Sequence, residues 1–304
     1  MLKITRAADP ITVERLNMVI YGPPGLGKSS LAFTAEAPLL LDFDNGSHRA
    51  INRKDVVQVS TWADVAAITA EDLAPFKTVI VDTAGRALDA ITADIIKTDP
   101  KGHKNGALTL PGYGVLKTRF TTFLKLLNSF GKDVVLIAHM DEQRNGDELI
   151  ERLDVQGGSK GEIYKAADAM GRLVMVNGKL QLRFSPSDAS FGKNPGQLPV
   201  LEVPHADSPD FDGFLGRVMQ QTKDKLNELS EDQKASAEEQ KWFRETLPSI
   251  AVVDEINGLM ERAKAGGTAC KALLAKRADE LKFTFDKAKG VYTAPAAEPA
   301  KEAA

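Results

Sequence analysis

The eight residues Gly22-Pro-Pro-Gly-Leu-Gly-Lys-Ser29 satisfy the pattern G-x-x-x-x-G-K-[ST] in full, and no other stretch restricts the fold as strongly. Glycines at these positions let the backbone wrap a phosphate group so that successive N–H groups point inward. A helix starting directly behind the loop aims its N-terminus at the same anion. Lys28 is then placed to bridge the β- and γ-phosphates, and the Ser29 hydroxyl to ligate Mg²⁺. The context agrees, with the apolar run 17–21 (NMVIY) before the loop and a helix-compatible stretch, Lys28 to Ala35, after it. The expected contacts are Gly22, Pro23, Pro24, Gly25, Leu26, Gly27, Lys28, Ser29 and Ser30 around a nucleoside triphosphate, with ATP and Mg²⁺ as the ligands.

Three further apolar runs, 38–42 (PLLLD), 77–82 (KTVIVD) and 133–139 (DVVLIAH), have the near-continuous hydrophobicity of strands buried on both faces, and 56–59 (VVQV) is a weaker strand. Helical patterns at 62–73, 87–96 and 113–130 alternate with them. That alternation predicts an α/β fold with a mainly parallel central sheet flanked by helices, as in P-loop NTPases. Past His139 the texture changes. Residues 140–162 are polar and are expected to form a loop, as are 97–112, rich in Gly, Lys and Pro. Asn177-Gly178 between LVMV (173–176) and KLQLRF (179–184) marks a hairpin, and VLEV near 200–203 a short strand. Helices are expected over 211–229, 230–247, 252–265 and 269–285, and a disordered Ala/Pro/Glu-rich tail beyond. The domains expected are a core over 1–205, a helical region over 206–290 and a tail over 291–304.

Composition narrows the function classes. With 304 residues and a net charge of −3, the chain has no global basic field, so any nucleic-acid contact must come from local patches. The single cysteine, Cys270, excludes an internal disulfide and a cysteine-based zinc site. His48, His103, His139 and His205 lack metal-ligand spacing. No apolar run long enough to span a membrane and no signal peptide is visible, so a cytoplasmic protein in a reducing compartment, with no membrane partner, is expected.

Asp82, ending the run VIVD, is the expected magnesium-side acid. Asp82-Thr-Ala-Gly85 also fits the D-x-x-G of small GTPases, but the guanine-reading N-K-x-D is missing downstream; Asn52-Arg-Lys-Asp55 has the wrong order and place. AAA+ ATPases usually set a Glu directly after the magnesium Asp, and here that position is Thr83. The acid that polarises water is therefore expected at the end of the strand after the phosphate-loop helix, where Asp42 and Asp44 lie, with Asp44 preferred. His139, ending its strand, is placed to touch the γ-phosphate.

The order YGPPGLGKSSLA, LLLDFDNG, FKTVIVDT, a Tyr-Gly-starting helix, then GKDVVLIAHMDE resembles the RecA-core ATPases of bacteriophages, similar to the Sak-type ATP-dependent single-strand annealing proteins. The resemblance covers roughly residues 15–205. It implies ATP hydrolysis coupled to single-stranded DNA in recombination, a homo-oligomer, and a single-strand-binding protein as a further partner. It implies two DNA loops, over 97–112 (Lys97, Lys101, His103, Lys104) and 140–162 (Arg144, Lys160), and a catalytic cation supplied from a neighbouring subunit, Lys193 rather than Arg183. The second loop's Asp141, Glu142, Asp147, Glu148, Glu151 and Asp154 oppose DNA, and stacking aromatics are nearly absent. The alternative is an assembly or regulatory ATPase in which nucleotide sets oligomeric state.

Overall fold

Residues 18–21 alternate between two hydrophobic layers: Val19 and Tyr21 pack on one face of a sheet, Met18 and Ile20 on the other. The same alternation recurs at Leu39/Leu41 against Leu40, at Val79/Val81 against Ile80, and at Val134/Leu136 against Val135/Ile137. A strand buried on both faces has to be covered by helices on both, which is the architecture observed.

The computed structural model describes residues 12–145, 148–155, 160–287 and 289–295. In chain order the elements are β1 (Asn17–Gly22), α1 (Lys28–Ala32), β2 (Pro38–Asp42), β3 (Asp55–Gln58), α2 (Ala63–Ala66), β4 (Thr78–Asp82), α3 (Ala84–Thr98), β5 (His103–Lys104), β6 (Ala107–Leu108), α4 (Leu110–Ser129), β7 (Asp133–Asn145), β8 (Glu148–Leu153), α5 (Lys160–Ala166), β9 (Ala169–Val176), β10 (Lys179–Arg183) and β11 (Leu201–Glu202). Then follow α6 (Phe214–Thr246), α7 (Val253–Gly258), α8 (Met260–Ala265), α9 (Gly267–Glu280), β12 (Thr284–Asp286) and β13 (Val291–Thr293).

The main sheet runs β11-β10-β9-β1-β7-β4-β2-β3, with β8 hydrogen-bonded to β7. From β9 to β3 every neighbour is parallel, whereas β7–β8, β9–β10 and β10–β11 are antiparallel. The expected α/β fold with a mostly parallel, helix-flanked sheet is thus present. Because β7 lies between β1 and β4, the carboxyl ends of β1, β7, β4 and β2 form one continuous edge. Helices α3 and α4 contribute Ile91, Ile95, Phe120 and Leu127 to one layer. Helix α1 and the start of α6 contribute Leu31, Leu215 and Val218 to the other.

Several local expectations are corrected. The polar stretch 140–162 is not a loop: β7 continues to Asn145 and pairs with β8, and α5 follows. Its Asp141, Glu142 and Gln143 gave no alternation to read, since all three are exposed. Asp147 and the side chains of Arg144, Glu148 and Lys160 lie outside the described residues. The stretch 97–112 likewise holds the β5–β6 hairpin, turned by Asn105 (φ 53°) and Gly106 (φ 79°). The helix expected over 62–73 is only α2, because Asp72 accepts hydrogen bonds from the Thr69 N–H and hydroxyl and folds the chain into a turn. At Asn177-Gly178 both residues have positive φ, 49° and 74°, as the hairpin reading requires.

Two compact units are present, Val13–Leu226 and a second beginning at Asn227. The division falls inside α6, a 33-residue helix. The second unit has its own core, with Phe243, Ile256, Cys270 and Leu274 buried, and the β12–β13 pair occupies residues expected to be helix and tail. Residues 296–304 lie outside the described residues. Among the described residues no helix is long and apolar enough to cross a membrane.

Inside the first unit a buried ion pair ties α6 to the sheet. Asp133, opening β7, accepts from the Leu16 N–H (2.8 Å) and from Lys223 Nζ (2.5 Å), and both side chains are nearly buried. Asp133→Ala would leave a buried ammonium and an amide without their acceptor, and is expected to lower stability by about 3–5 kcal/mol in chemical denaturation.

Candidate functional site

The phosphate loop leaves the carboxyl end of β1 and enters α1. Gly22 has to be glycine because a Cβ there would stand 2.3 Å from the Leu173 carbonyl oxygen on β9. Gly27 caps α1 in the left-handed region at φ 76°. Lys28 is buried, and its amine donates to the carbonyls of Gly22 (3.0 Å) and Pro23 (2.7 Å), closing the loop on itself. Burial pulls the Lys28 pKa down to about 8, against the opposing pull of the Asp82 charge.

Parallel pairing aligns the acids. Asp42 is level with Asp82, Asp82 with Ile137, and His139 with Gly22. The two residues expected at the metal are together: the Ser29 hydroxyl donates to Asp82 Oδ2 at 2.5 Å. Burial raises the Asp82 pKa to about 6; the Ser29 bond lowers it, and the charges of Asp42 and Asp44 raise it further. A carboxylate held against desolvation beside two other acids is a group whose ionised form a cation would stabilise.

Asp42 and Asp44 have different jobs. Asp42 is fully buried and accepts from the N–H groups of Asp44 (3.2 Å), Gly46 (3.1 Å) and Ser47 (2.9 Å). It shapes the turn and has no reach toward a ligand. Asp44 faces the cavity, flanked by Arg86 (Nε 3.4 Å) and Arg49 (3.7 Å). Neither arginine was singled out from the sequence. Arg49 follows the acidic turn and Arg86 sits in the first turn of α3, and their convergence on Asp44 joins segments about 40 residues apart. Thr83, where a Glu was looked for, caps α3 by accepting from the Arg86 N–H.

These groups line a cavity of about 410 Å³ bounded by the loop, Asp44, Asp82, Arg49 and His139. His139 lines this cavity, and its Nδ1 is buried away from solvent with no hydrogen-bond partner among the described residues. Burial, and then the charge of Lys28, lowers its pKa, so a neutral imidazole faces the cavity. A glycine-rich loop, a buried lysine, a neutral imidazole at the cavity wall and a Ser–Asp pair fit a magnesium-bound triphosphate. Lys193 stands elsewhere: its amine donates to the Tyr164 (2.5 Å) and Ala167 (2.6 Å) carbonyls at the end of α5, so the expected free cation is engaged as a helix cap. Arg183 is held by Gln181. No group of three or more His, Cys, Asp or Glu suited to a metal occurs among the described residues.

A family model described as an AAA domain matches residues 14–195, more than half of the chain and all of this site. The chain belongs to the AAA-domain family. It is therefore a P-loop NTPase of AAA type, a nucleotide-binding ATPase domain, although Thr83 argued against that type from the sequence alone. The chain matches no curated protein.

Binding of a magnesium nucleotide to this AAA domain needs Lys28 charged and Asp82 ionised. Lys28 loses its proton above about pH 8 and Asp82 gains one below about pH 6, so affinity is expected to peak between them and fall on both sides. Titration calorimetry against pH measures this, and the acid limb should be weaker in Asp82→Asn. The two neighbouring acids separate cleanly: Asp42→Ala is expected to lose roughly 2–4 kcal/mol of stability by orphaning buried donors. Asp44→Asn should stay within about 0.5 kcal/mol of the parent in the same denaturation experiment.

Proposed function

We propose that the chain hydrolyses ATP in this cavity and acts, as a homo-oligomer, on single-stranded DNA in phage-type recombination or annealing. The observation that carries the ATPase reading is the convergence of Lys28, Ser29, Asp82, Asp44 and His139 on one carboxyl edge. Asp44 takes the proton of a water that attacks the γ-phosphorus; the bond to the bridging oxygen breaks and ADP leaves with phosphate. Lys28 and the loop N–H groups hold the phosphates, and His139 contacts the transferred group. Magnesium, held by Ser29 and Asp82, would supply neutralising charge to the phosphates. Asp44 is one methylene shorter than the Glu usual at this place in RecA-like proteins, and water placement is sensitive to about 1 Å, so turnover is slow without a stimulus.

The DNA reading is supported by the motif order and by what leaves the same edge. Strand β7 carries His139 and runs straight into the β7–β8 hairpin. Lys97 in the last turn of α3, Lys101 in the turn after it and Lys104 on the β5–β6 hairpin are exposed, as is Tyr113 in the first turn of α4. Cations in this arrangement suit phosphate contacts. A single-strand-binding protein is a further partner under this reading. The acidic Asp141 and Glu142 on the other hairpin favour the second reading, a nucleotide-dependent assembly ATPase without direct DNA action.

ATP hydrolysis with and without single-stranded DNA separates the two. The expected result is slow basal turnover that rises with DNA, a rise lost at high salt and in Lys97/Lys101/Lys104→Ala. Lys28→Ala should bind no nucleotide, and Asp44→Asn should bind it but lose about a hundredfold or more in turnover. An unchanged rate together with no salt-sensitive DNA binding would leave the ATPase and remove the DNA.

A further inference from the structure

Stacking of bases on aromatic faces lets a protein hold a single strand of any sequence, and the stretches 97–112 and 140–162 carry hardly any aromatic ring. Among the described residues of the first unit, the large aromatic side chains more than a third exposed are Tyr113 and Phe191. Phe191 is already engaged, with the Tyr164 ring 4.7 Å away and the Arg152 guanidinium over its own ring. The second unit offers another, Phe285.

Phe285 sits in the middle of β12, directly opposite Tyr292 of β13, and is 42% exposed. The two rings meet edge to face with their centroids 5.0 Å apart. Tyr292 is anchored from behind. It packs against the core of the second unit, its N–H donates to Asn257 Oδ1 (2.7 Å), and its carbonyl accepts from Asn257 Nδ2 (2.9 Å). Phe285 therefore rests on a fixed support, and a ligand stacking on it has little side-chain freedom left to freeze.

Cations surround this ring. Lys282 lies in the turn before β12, and Lys287 and Lys289 in the turn between β12 and β13, all three exposed. None is more than four residues from Phe285, at most about 14 Å of chain. The turn is itself fixed, since the Gly290 N–H donates to the Asp286 carbonyl (2.8 Å) and the Lys289 N–H to the Asp286 carboxylate (3.2 Å). Asp286 is the opposing acid here, 3.9 Å from the Lys289 amine. Over residues 271–293 six lysines and arginines still face three acids, a basic segment in a chain whose net charge is −3.

We infer that the β12–β13 hairpin is a contact for single-stranded nucleic acid, with a base stacked on Phe285 and the flanking phosphates held by Lys282, Lys287 and Lys289. The inference rests on the DNA reading above and places part of that contact in the second unit. A single strand satisfies both features at once: its phosphates take the lysines, and every base has a face to set on the ring.

Fluorescence anisotropy on the full chain, with a labelled oligonucleotide and an abasic strand of the same length, tests this. Phe285→Ala and Phe285→Leu should each weaken the oligonucleotide by about five- to a hundredfold and leave the abasic strand unchanged. Phe285→Trp should retain affinity. Leucine still packs on Tyr292, so a loss shared with the alanine variant reports the aromatic face and not the hairpin's integrity. Lys282/Lys287/Lys289→Ala should weaken both strands and reduce the slope of log affinity against log salt by about two. If the parent binds the strand and the phenylalanine and lysine variants bind it equally well, the hairpin contact is overturned and the DNA reading stands on the first unit. Loss in the lysine variant alone, with the parent indifferent to the bases, overturns the stacking site and leaves a patch for polyanions such as an acidic protein. If the folded parent binds no single strand, the DNA reading falls and the hairpin contact with it.

Discussion

A lysine ammonium kept out of water opposite a carboxylate is the constraint around which the rest of this AAA domain is arranged. Lys28 is buried and spends its donors on two carbonyls of its own loop, while Asp82, a strand away, is buried against the Ser29 hydroxyl. Both groups are pushed toward their neutral forms, Lys28 down to about 8 and Asp82 up to about 6. The sign is the same for each. The Asp82 penalty is absent below its ordinary value and fully present above about pH 6; the Lys28 penalty is present below about pH 8 and gone above its ordinary value. At neutral pH these two buried charges therefore destabilise the fold, by roughly a few kcal/mol. The doubly covered sheet supplies what offsets it, and a magnesium-bound polyanion, which favours both charged forms, removes it.

That argument explains which parts of the molecule could be read from the sequence. The strands β1, β2, β4 and β7 were legible because both their faces are buried, so their composition is nearly continuous Val, Ile and Leu. The loop was legible because each glycine answers a backbone demand, Gly22 against the Leu173 carbonyl and Gly27 at its positive φ. The β7–β8 hairpin was not. Asp141, Glu142 and Gln143 face solvent, and pairing of exposed strands is specified by backbone hydrogen bonds that leave no hydrophobic period. The arginines beside Asp44 were hidden for another reason: they meet only after β2 and β4 are laid side by side. Lys193 shows the converse. A cation that the family resemblance placed at a neighbour's nucleotide is seated on the end of α5, and only the tertiary structure reveals that its donors are taken.

Asp42 and Asp44 share a side chain type and lie two residues apart, yet one is structural and the other faces the cavity. The difference is burial and the direction of the chain. Asp42 ends β2 while still inside the sheet, where an unpaired carboxylate is too costly, so the following turn wraps three N–H groups around it. That wrapping fixes the backbone of residues 43–47 and so sets where Asp44 points. Asp42 is thus a positioning residue for Asp44. The alternation rule that put both acids on one side of an extended strand holds only up to residue 42, since the chain turns immediately after it.

The order of strands then decides what can respond to the nucleotide. Because β7 is inserted between β1 and β4, its His139 stands level with Gly22 at the end of β1 and lines the same cavity as Asp82. Six residues further, still on the same strand, the chain reaches the end of β7 at Asn145. An extended strand is stiff along its length, and β7 is clamped on both sides by β1 and β4 up to Ile137 but only by β8 beyond His139. A shift of His139 would therefore be resisted by the sheet below it and passed on along β7 to its pairing with β8. A neutral imidazole is suited to that position: it lines the cavity without a charge of its own to bury.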